Sequence, residues 1–140
     1  MKGVYVLIIE LPNNSDVELG KSGKGKTKFK SGFYAYVGSA LNGLEKRIER
    51  HLRKEKKLYW HIDYLLEKAE IVKVIYAETC LKMECKIAGN LAGNLHYINN
   101  FGCSDCGCES HLFYCTDFDN LKNLILISFK ENRLKPEFYI

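Results

Sequence analysis

Hydrophobic and polar positions along the chain predict an α/β fold. Residues 3–11 form a nearly continuous apolar run, which is typical of a central strand that is buried on both faces. Residues 33–37 are rich in aromatic and β-branched side chains and predict a second strand. Two further strands are predicted over residues 69–77 and 111–115. We therefore expect a single compact domain over residues 1–140, with a small mixed or antiparallel sheet flanked by helices.

Apolar residues at helical spacing predict four helices along the same chain. The first covers residues 44–52 and follows Asn42, which is a candidate N-cap. The second lies around residues 58–66, and the third spans residues 80–98. The fourth spans residues 117–134. No internal repeat or linker interrupts this order, so the elements fit one domain.

A helical wheel over the first helix divides its basic residues into two groups. At ~100° per residue, Arg47 and His51 fall beside the apolar stripe and point toward the strand that carries Tyr36. The other basic residues fall opposite that stripe: Lys46, Arg50 and Arg53. Arg47 is therefore a candidate functional residue. The alternative is a side-chain stem that covers apolar surface while its charge stays in water.

Glu84 lies close to the apolar face of the third predicted helix. Cys85, Ala88 and Leu91 belong to that face, which we expect to be largely buried. A buried carboxylate without a partner is costly. We therefore expect Glu84 to have a cation or hydrogen-bond donors beside it.

Positive charge is concentrated in the first part of the chain. Residues 1–60 carry 13 Lys and Arg against 6 Asp and Glu, a surplus of +7, whereas residues 61–140 carry 8 against 11, which is −3. Four lysines alternate along the glycine-rich connection before the second strand and would share one side of an extended backbone: Lys24, Lys26, Lys28 and Lys30. This distribution favours a polyanionic partner such as nucleic acid.

The same connection matches the phosphate-binding pattern G-x-x-x-x-G-K-[ST]. Its fixed positions are Gly20, Gly25, Lys26 and Thr27. The pattern binds phosphates only between a strand and a helix, but Thr27 leads directly into a predicted strand. We therefore interpret the segment as a hairpin whose lysines either discourage edge pairing or contact DNA.

The sequence predicts neither an export signal nor a membrane span. The apolar opening ends at Glu10 without a small-residue cleavage site. No apolar stretch approaches the ~20 residues that a membrane-spanning helix requires. The six cysteines are then expected to be reduced thiols, which indicates a cytoplasmic location.

Two tripeptides and three later residues resemble a known nuclease family. The tripeptides are Gly3-Val4-Tyr5 and Tyr36-Val37-Gly38, and they are followed by Arg47, His51 and a helical Glu84. This order resembles the GIY-YIG nuclease superfamily, which includes the N-terminal nuclease domain of bacterial excision-repair proteins. Four longer phrases are similar to one archaeal and bacterial branch of that superfamily: GFYAYVGSA, RHLR, WHIDYLL and GCSDCGCESHLFY.

The resemblance implies a DNA endonuclease, a hydrolase that cleaves phosphodiester bonds with Mg²⁺ or Mn²⁺. Tyr5 would help to activate the attacking water, and Tyr36 would support its positioning. Arg47 would steady the phosphate, for which a guanidinium is a suitable donor. Glu84 would hold a single Mg²⁺, which prefers oxygen ligands. His51 falls where some members of the superfamily carry a histidine.

A second constellation has the spacing C-x₂-C-x-C-x₂-H. Its members are Cys103, Cys106, Cys108 and His111. Thiolates and imidazole are the ligands that Zn²⁺ prefers, and four of them close a structural site. Two alternatives stay open. Reduced cysteines could pack in a turn that Ser104 and Asp105 cap, or Asp105 or His111 could reach the nuclease site.

The function that the sequence favours is therefore a DNA endonuclease. The alternatives are a non-catalytic nucleic-acid-binding module with the same fold and a zinc-stabilised interaction domain. A metal-dependent cleavage assay separates the first two hypotheses. Outside the catalytic set, the residues expected to contact DNA are Lys24, Lys26, Lys28, Lys30, Arg50 and Arg53.

Overall fold

The computed structural model describes residues 1–20, 25–102 and 106–140. Its strands are β1 (Gly3–Leu11), β2 (Ser15–Val17), β3 (Thr27–Phe29), β4 (Gly32–Ala40), β5 (Glu70–Glu78), β6 (His96–Tyr97), β7 (Leu112–Cys115) and β8 (Glu137–Phe138). Its helices are α1 (Leu44–Leu52), α2 (His61–Leu65), α3 (Glu84–Ala92) and α4 (Phe118–Glu131).

Strand β1 lies at the centre of the main sheet. Within the described ranges, six strands pair in the order β6-β7-β4-β1-β5-β8, and every pair is antiparallel. All residues of β1 except Glu10 are buried, as expected for a central strand with both faces covered. The structure thus confirms a single α/β domain, and its sheet is antiparallel rather than mixed.

The two faces of the sheet carry separate apolar cores. Successive residues of a strand point to opposite faces, so the unbroken apolar run of β1 supplies both cores. Tyr5 and Leu7 pack on one face with α1 and α2. Val6 and Ile8 pack on the other face with α3 and α4. We call the first of these the tyrosine face.

Strands β2 and β3 form a separate antiparallel hairpin on the tyrosine face. The side chain of Phe29 is buried in that core, whereas Lys26, Lys28 and Lys30 are exposed. This alternation confirms the predicted hairpin for the lysines that the structure describes. Lys24 lies outside the described residues. Thr27 begins a strand rather than a helix, so the segment lacks the context that a phosphate-binding loop requires.

The third helix is shorter than the sequence predicts. It begins at Glu84, and in the turn before it the side chain of Thr79 accepts a hydrogen bond from the backbone N–H of Leu81. It ends at Ala92, after which the chain forms β6 against β7. The interpretation of residues 80–98 as one continuous helix is therefore wrong at both ends.

The last helix, α4, agrees closely with its prediction. Asp117 caps it by accepting a hydrogen bond from the backbone N–H of Asp119. At 14 residues it is the longest helix in the described ranges. None of the helices in those ranges combines the length and the apolar character that crossing a bilayer demands.

Candidate functional site

Tyr5 and Tyr36 lie on adjacent strands with their rings on the same face of the sheet. In the β1–β4 register, Tyr5 pairs with Gly38 and Leu7 pairs with Tyr36. Both tyrosines are buried in the core of the tyrosine face. The structure therefore brings the two sequence tripeptides together, as their resemblance to one motif pair implies.

The glycine of each tripeptide occupies a position without room for a side chain. A Cβ at Gly38 would lie 2.5 Å from Cζ and from the hydroxyl oxygen of Tyr5. A Cβ at Gly3 would lie 2.3 Å from the carbonyl oxygen of Ala77 on β5. These distances are far below a van der Waals contact, so the glycines let the Tyr5 ring and strand β5 approach the backbone.

His51 contacts both tyrosines from helix α1. Its Nε2 lies 2.7 Å from the hydroxyl oxygen of Tyr5, and its ring centroid lies 6.0 Å from that of Tyr36. Its Nδ1 is buried and has no hydrogen-bond partner among the described residues. Burial lowers the pKa of His51 to about 3, and this effect outweighs the charge of Asp63, which raises the pKa. The imidazole is therefore neutral at pH 7.

Arg47 lies at the edge of the same group and is half-buried. Its Nη1 donates to the carbonyl oxygen of Ser39 over 3.3 Å, and its guanidinium carbon lies 4.7 Å from the centroid of the Trp60 ring. Burial raises the pKa of Tyr5 well above its ordinary value, whereas the charge of the nearby Arg47 lowers it. Arg47 thus points toward the tyrosines, as the helical wheel predicts.

Glu84 is the first residue of α3 and approaches the tyrosines from the far side of the sheet. Burial raises the pKa of Tyr36 above its ordinary value, and the charge of Glu84 raises it further. The carboxylate oxygen Oε2 lies 3.8 Å from Nδ1 of His111. The side chain is 29% exposed, so the carboxylate is mostly but not fully buried and solvent can reach it. The five residues expected to be catalytic therefore converge on one site.

Arg50 forms a buried ion pair that the sequence does not reveal. The carboxylate of Asp63 is fully buried and accepts 3.0 Å hydrogen bonds from Nη1 and Nη2 of Arg50, and the backbone N–H groups of Tyr59 and Trp60 also donate to it. The expectation that Arg50 faces solvent is wrong, because the segment before α2 covers this side of α1. Arg53 is exposed, as expected.

Two aromatic residues next to this ion pair belong to the site, although sequence reasoning misses them. The Trp60 ring lies between the guanidinium groups of Arg47 and Arg50, at 4.7 Å and 4.4 Å from its centroid. The neighbouring Tyr59 is 76% exposed and contacts Trp60 edge to face. The signal in the sequence that could have found them is the adjacent aromatic pair Tyr59-Trp60, which follows the basic segment 53–57.

Three thiols and an imidazole form a cluster next to Glu84. The ligand atoms of Cys85, Cys106, Cys108 and His111 all lie within 4.8 Å of one another, so the cluster could hold a metal ion. Sequence spacing finds the last three of these residues. The interpretation of Cys85 as a core residue is wrong, because it is exposed on the first turn of α3. Cys103, the fourth member expected from spacing, lies outside the described residues, as does Asp105.

The loop that carries the other three members of this cluster forms one wall of the site. The backbone N–H of Val37 donates to the carbonyl oxygen of His111 over 2.9 Å. Gly102 lies so close to Tyr36 that a Cβ there would be 3.2 Å from Cε1 of the ring. Burial and the neighbouring thiols raise the pKa of Cys108. His111 therefore belongs to the cysteine-histidine cluster and also faces the carboxylate of Glu84.

Comparison with known proteins places the chain in a family. No curated protein and no solved structure matches it significantly. The family model described as "Domain of unknown function DUF123" matches residues 4–134. This match runs from the second residue of β1 to just beyond α4 and includes both tyrosines, Arg47, His51, Glu84 and the cysteine-histidine cluster. Because it spans nearly the whole chain, the protein belongs to the DUF123 family.

Proposed function

We propose that this protein is a DNA endonuclease of the GIY-YIG type, which hydrolyses phosphodiester bonds with Mg²⁺ or Mn²⁺. One observation carries the proposal. Two tyrosines, an arginine, a neutral histidine and a carboxylate from four separate elements converge on one site: Tyr5, Tyr36, Arg47, His51 and Glu84. A purely structural core has little reason to collect so many polar groups around two buried phenols.

The carboxylate of Glu84 fits a divalent cation. It offers hard oxygen ligands and is partly open to solvent, and Mg²⁺ is commonly bound by one or two carboxylates while it keeps several waters. When bound, such a cation would polarise the phosphate and lower the pKa of a coordinated water. Glu84 would hold this cation, and Arg47 would bind the phosphate oxygens opposite it.

Tyr5, positioned by His51, would help to activate the attacking water. The buried phenol has a raised pKa, so it needs nearby positive charge to act as a base. Arg47 supplies one such charge. The neutral imidazole can accept a hydrogen bond from the Tyr5 hydroxyl at Nε2, which orients the hydroxyl so that the lone pairs of the phenol oxygen face the water. Tyr36 packs against His51 and would keep this pair in place.

A basic surface beside the site would bind the DNA backbone. The exposed side chains of Lys26, Lys28, Lys30 and Arg53 lie on the hairpin and at the end of helix α1, which both pack on the tyrosine face. We include Lys24 on sequence grounds and leave out Arg50, whose guanidinium is occupied by Asp63. We also propose that the protein acts in the cytoplasm, where its cysteines would stay reduced.

The test is cleavage of branched, nicked and single-stranded DNA with and without Mg²⁺. Glu84→Gln keeps the size of the side chain but removes its charge, so cleavage should fall by ~10²-fold or more. DNA affinity without Mg²⁺ should stay similar or rise slightly. Arg47→Ala should weaken both binding and cleavage, because a guanidinium contacts the phosphate before and during reaction. Glu131→Gln, an exposed carboxylate on α4, is the matched control.

Two results would overturn the endonuclease proposal. One is a wild-type protein that binds DNA but cuts nothing across this panel, which would favour a non-catalytic binding module. The other is a Glu84→Gln variant that cuts as fast as wild type. The zinc content of Glu84→Gln should equal that of wild type, which separates loss of the catalytic carboxylate from loss of the cysteine-bound metal.

A further inference from the structure

We propose that Cys85, Cys106, Cys108 and His111 bind one Zn²⁺ and that this ion fastens the loop before β7 to the start of α3. The ligand set differs from the one that sequence spacing predicts, because Cys85 comes from a helix more than 20 residues earlier. The zinc site itself does not depend on the proposed nuclease activity; only the role of the ion in orienting Glu84 rests on that proposed function.

The geometry of the four side chains is close to that of a tetrahedral zinc site. Zn–S bonds of about 2.3 Å and Zn–N bonds of about 2.0 Å place neighbouring ligand atoms about 3.5–3.8 Å apart. In the structure the sulfur of Cys106 lies 3.4 Å from Nε2 of His111. All four ligand atoms lie within 4.8 Å of one another. Small side-chain rotations would therefore complete the coordination sphere.

Side-chain packing alone does not account for the cluster. A packed apolar turn requires buried cysteines, whereas Cys85 is exposed and Cys106 and Cys108 are only half-buried. Each cysteine that the structure describes is a free thiol. Three thiols and an imidazole form a soft donor set, which suits Zn²⁺ better than Mg²⁺ or Ca²⁺.

The ion would also orient the catalytic carboxylate through His111. The ring faces Cys106 with Nε2 and faces Glu84 with Nδ1, 3.8 Å from Oε2. Metal-bound histidines commonly present their second nitrogen to a carboxylate, which fixes the ring and its tautomer. His111 is thus a positioning residue for Glu84. The first turn of α3 would therefore be held at two adjacent residues: at Cys85, which would bind the zinc, and at Glu84, which faces the zinc-bound His111.

The first experiment measures metal content in cysteine variants. Wild type, purified without chelator, should contain about one zinc per chain. Cys85→Ser should lose most of it, whereas Cys80→Ser, an exposed cysteine five residues earlier, should keep it. Cys103→Ser should also keep it. A chelator should lower the melting temperature of wild type and of Cys80→Ser, but it should have little further effect on Cys85→Ser.

A second measurement does not depend on any variant. Replacing the metal of wild-type protein with Co²⁺ should give the intense visible bands of tetrahedral cobalt and a near-ultraviolet thiolate-to-cobalt transition. The proposal would be overturned if wild type contained no zinc as purified and gave none of these bands after Co²⁺ was added. Zinc loss in Cys103→Ser together with full zinc content in Cys85→Ser would also overturn it, because the ligand set would then be the one that sequence spacing predicts.

Discussion

At the scale of single residues, the centre of the site is the contact between Tyr5 on β1 and Gly38 on β4, which face each other in adjacent strands. The ring of Tyr5 occupies the space above Gly38, and this places its hydroxyl at hydrogen-bonding distance from His51. Any larger residue at position 38 would have to displace the ring. The tyrosine and the glycine therefore act as one unit, although each is common in strands by itself.

Gly38→Ala should destabilise the fold and displace Tyr5. The added Cβ would lie 2.5 Å from the ring, and overpacking of this kind costs about 1–3 kcal/mol. Gly89→Ala is the matched control, because it sits in helix α3 with nothing within 4 Å of an added Cβ and should stabilise by about 0.5–1 kcal/mol. Urea denaturation measures both. Equal stability of Gly38→Ala and wild type would contradict the tight fit.

The buried His51 should make stability depend on pH between about 6.5 and 3. Its pKa in the folded chain is about 3, whereas an unfolded histidine titrates near ~6.5. The unfolded chain therefore binds a proton that the folded chain excludes, so stability falls as the pH drops through this window. His51 alone should account for about 2 kcal/mol of this loss by pH 4.5.

Replacing the histidine should remove this pH dependence. His51→Gln should flatten the slope of unfolding free energy against pH between 6.5 and 4.5, while His96→Gln, at an exposed position, should keep it. Denaturant titrations at several pH values provide the slope. An unchanged slope in His51→Gln would show that the imidazole already binds a proton in the folded protein.

Sequence reasoning locates some site residues well and others poorly, for physical reasons. The positions of Arg47 and His51 are predicted by the 3.6-residue period of α1, because this period depends only on the local sequence and the folded helix keeps it. The partner of Arg50 depends on where α2 packs, which no local pattern encodes. Cys85 is misassigned because the predicted helix is too long, and its first turn proves to be exposed.

At the scale of elements, Asp63 joins helix α1 to the segment that begins α2. Burial by itself would raise the pKa of Asp63, but hydrogen bonds from Arg50 and from the backbone N–H groups of Trp60 and Tyr59 outweigh it and hold the pKa below its ordinary value. This pair therefore supports folding above the usual pKa of a carboxyl group and loses that effect as acid protonates it.

Arg50→Ala should weaken this junction. It removes two hydrogen bonds to a buried carboxylate and should cost about 2–3 kcal/mol. Arg53→Ala, three residues away and exposed, should change stability by less than about 0.5 kcal/mol. Thermal or urea unfolding at pH 7 compares the two variants. Similar small effects would mean that the backbone donors alone satisfy Asp63.

The β2–β3 hairpin should contribute to DNA affinity rather than to chemistry. Each lysine that neutralises a phosphate steepens the dependence of log affinity on log salt by about one unit. Serine at positions 24, 26, 28 and 30 should therefore flatten that slope by up to about four units. The control changes basic residues on or after α4, on the other face of the sheet: Lys122, Lys130, Arg133 and Lys135. If the hairpin variant leaves the slope unchanged, the lysines of the hairpin do not contact DNA and serve only to discourage edge pairing.

At the scale of the whole molecule, the site lies where elements from both faces of the sheet meet. Tyr5, Tyr36 and α1 belong to the tyrosine face, whereas α3 packs on the opposite face and reaches the site through Glu84 at its first turn. Strand periodicity predicts the sheet and its two cores. It cannot predict that the first turn of α3 and the loop before β7 meet beside the two tyrosines, because that depends on the complete fold.

The central position of β1 has a consequence for how the chain folds. Gly3 pairs with Ala40 on one side and with Glu78 on the other, so both partners of β1 come from distant parts of the chain. Sheets with such long-range pairings fold slowly, on the scale of milliseconds to seconds. During synthesis at ~5–20 residues per second, β1 would wait about 3–15 seconds for β5 to be made. A nascent chain therefore leaves one edge of this apolar strand unpaired for that interval, and chaperone binding at residues 3–11 would protect it from aggregation.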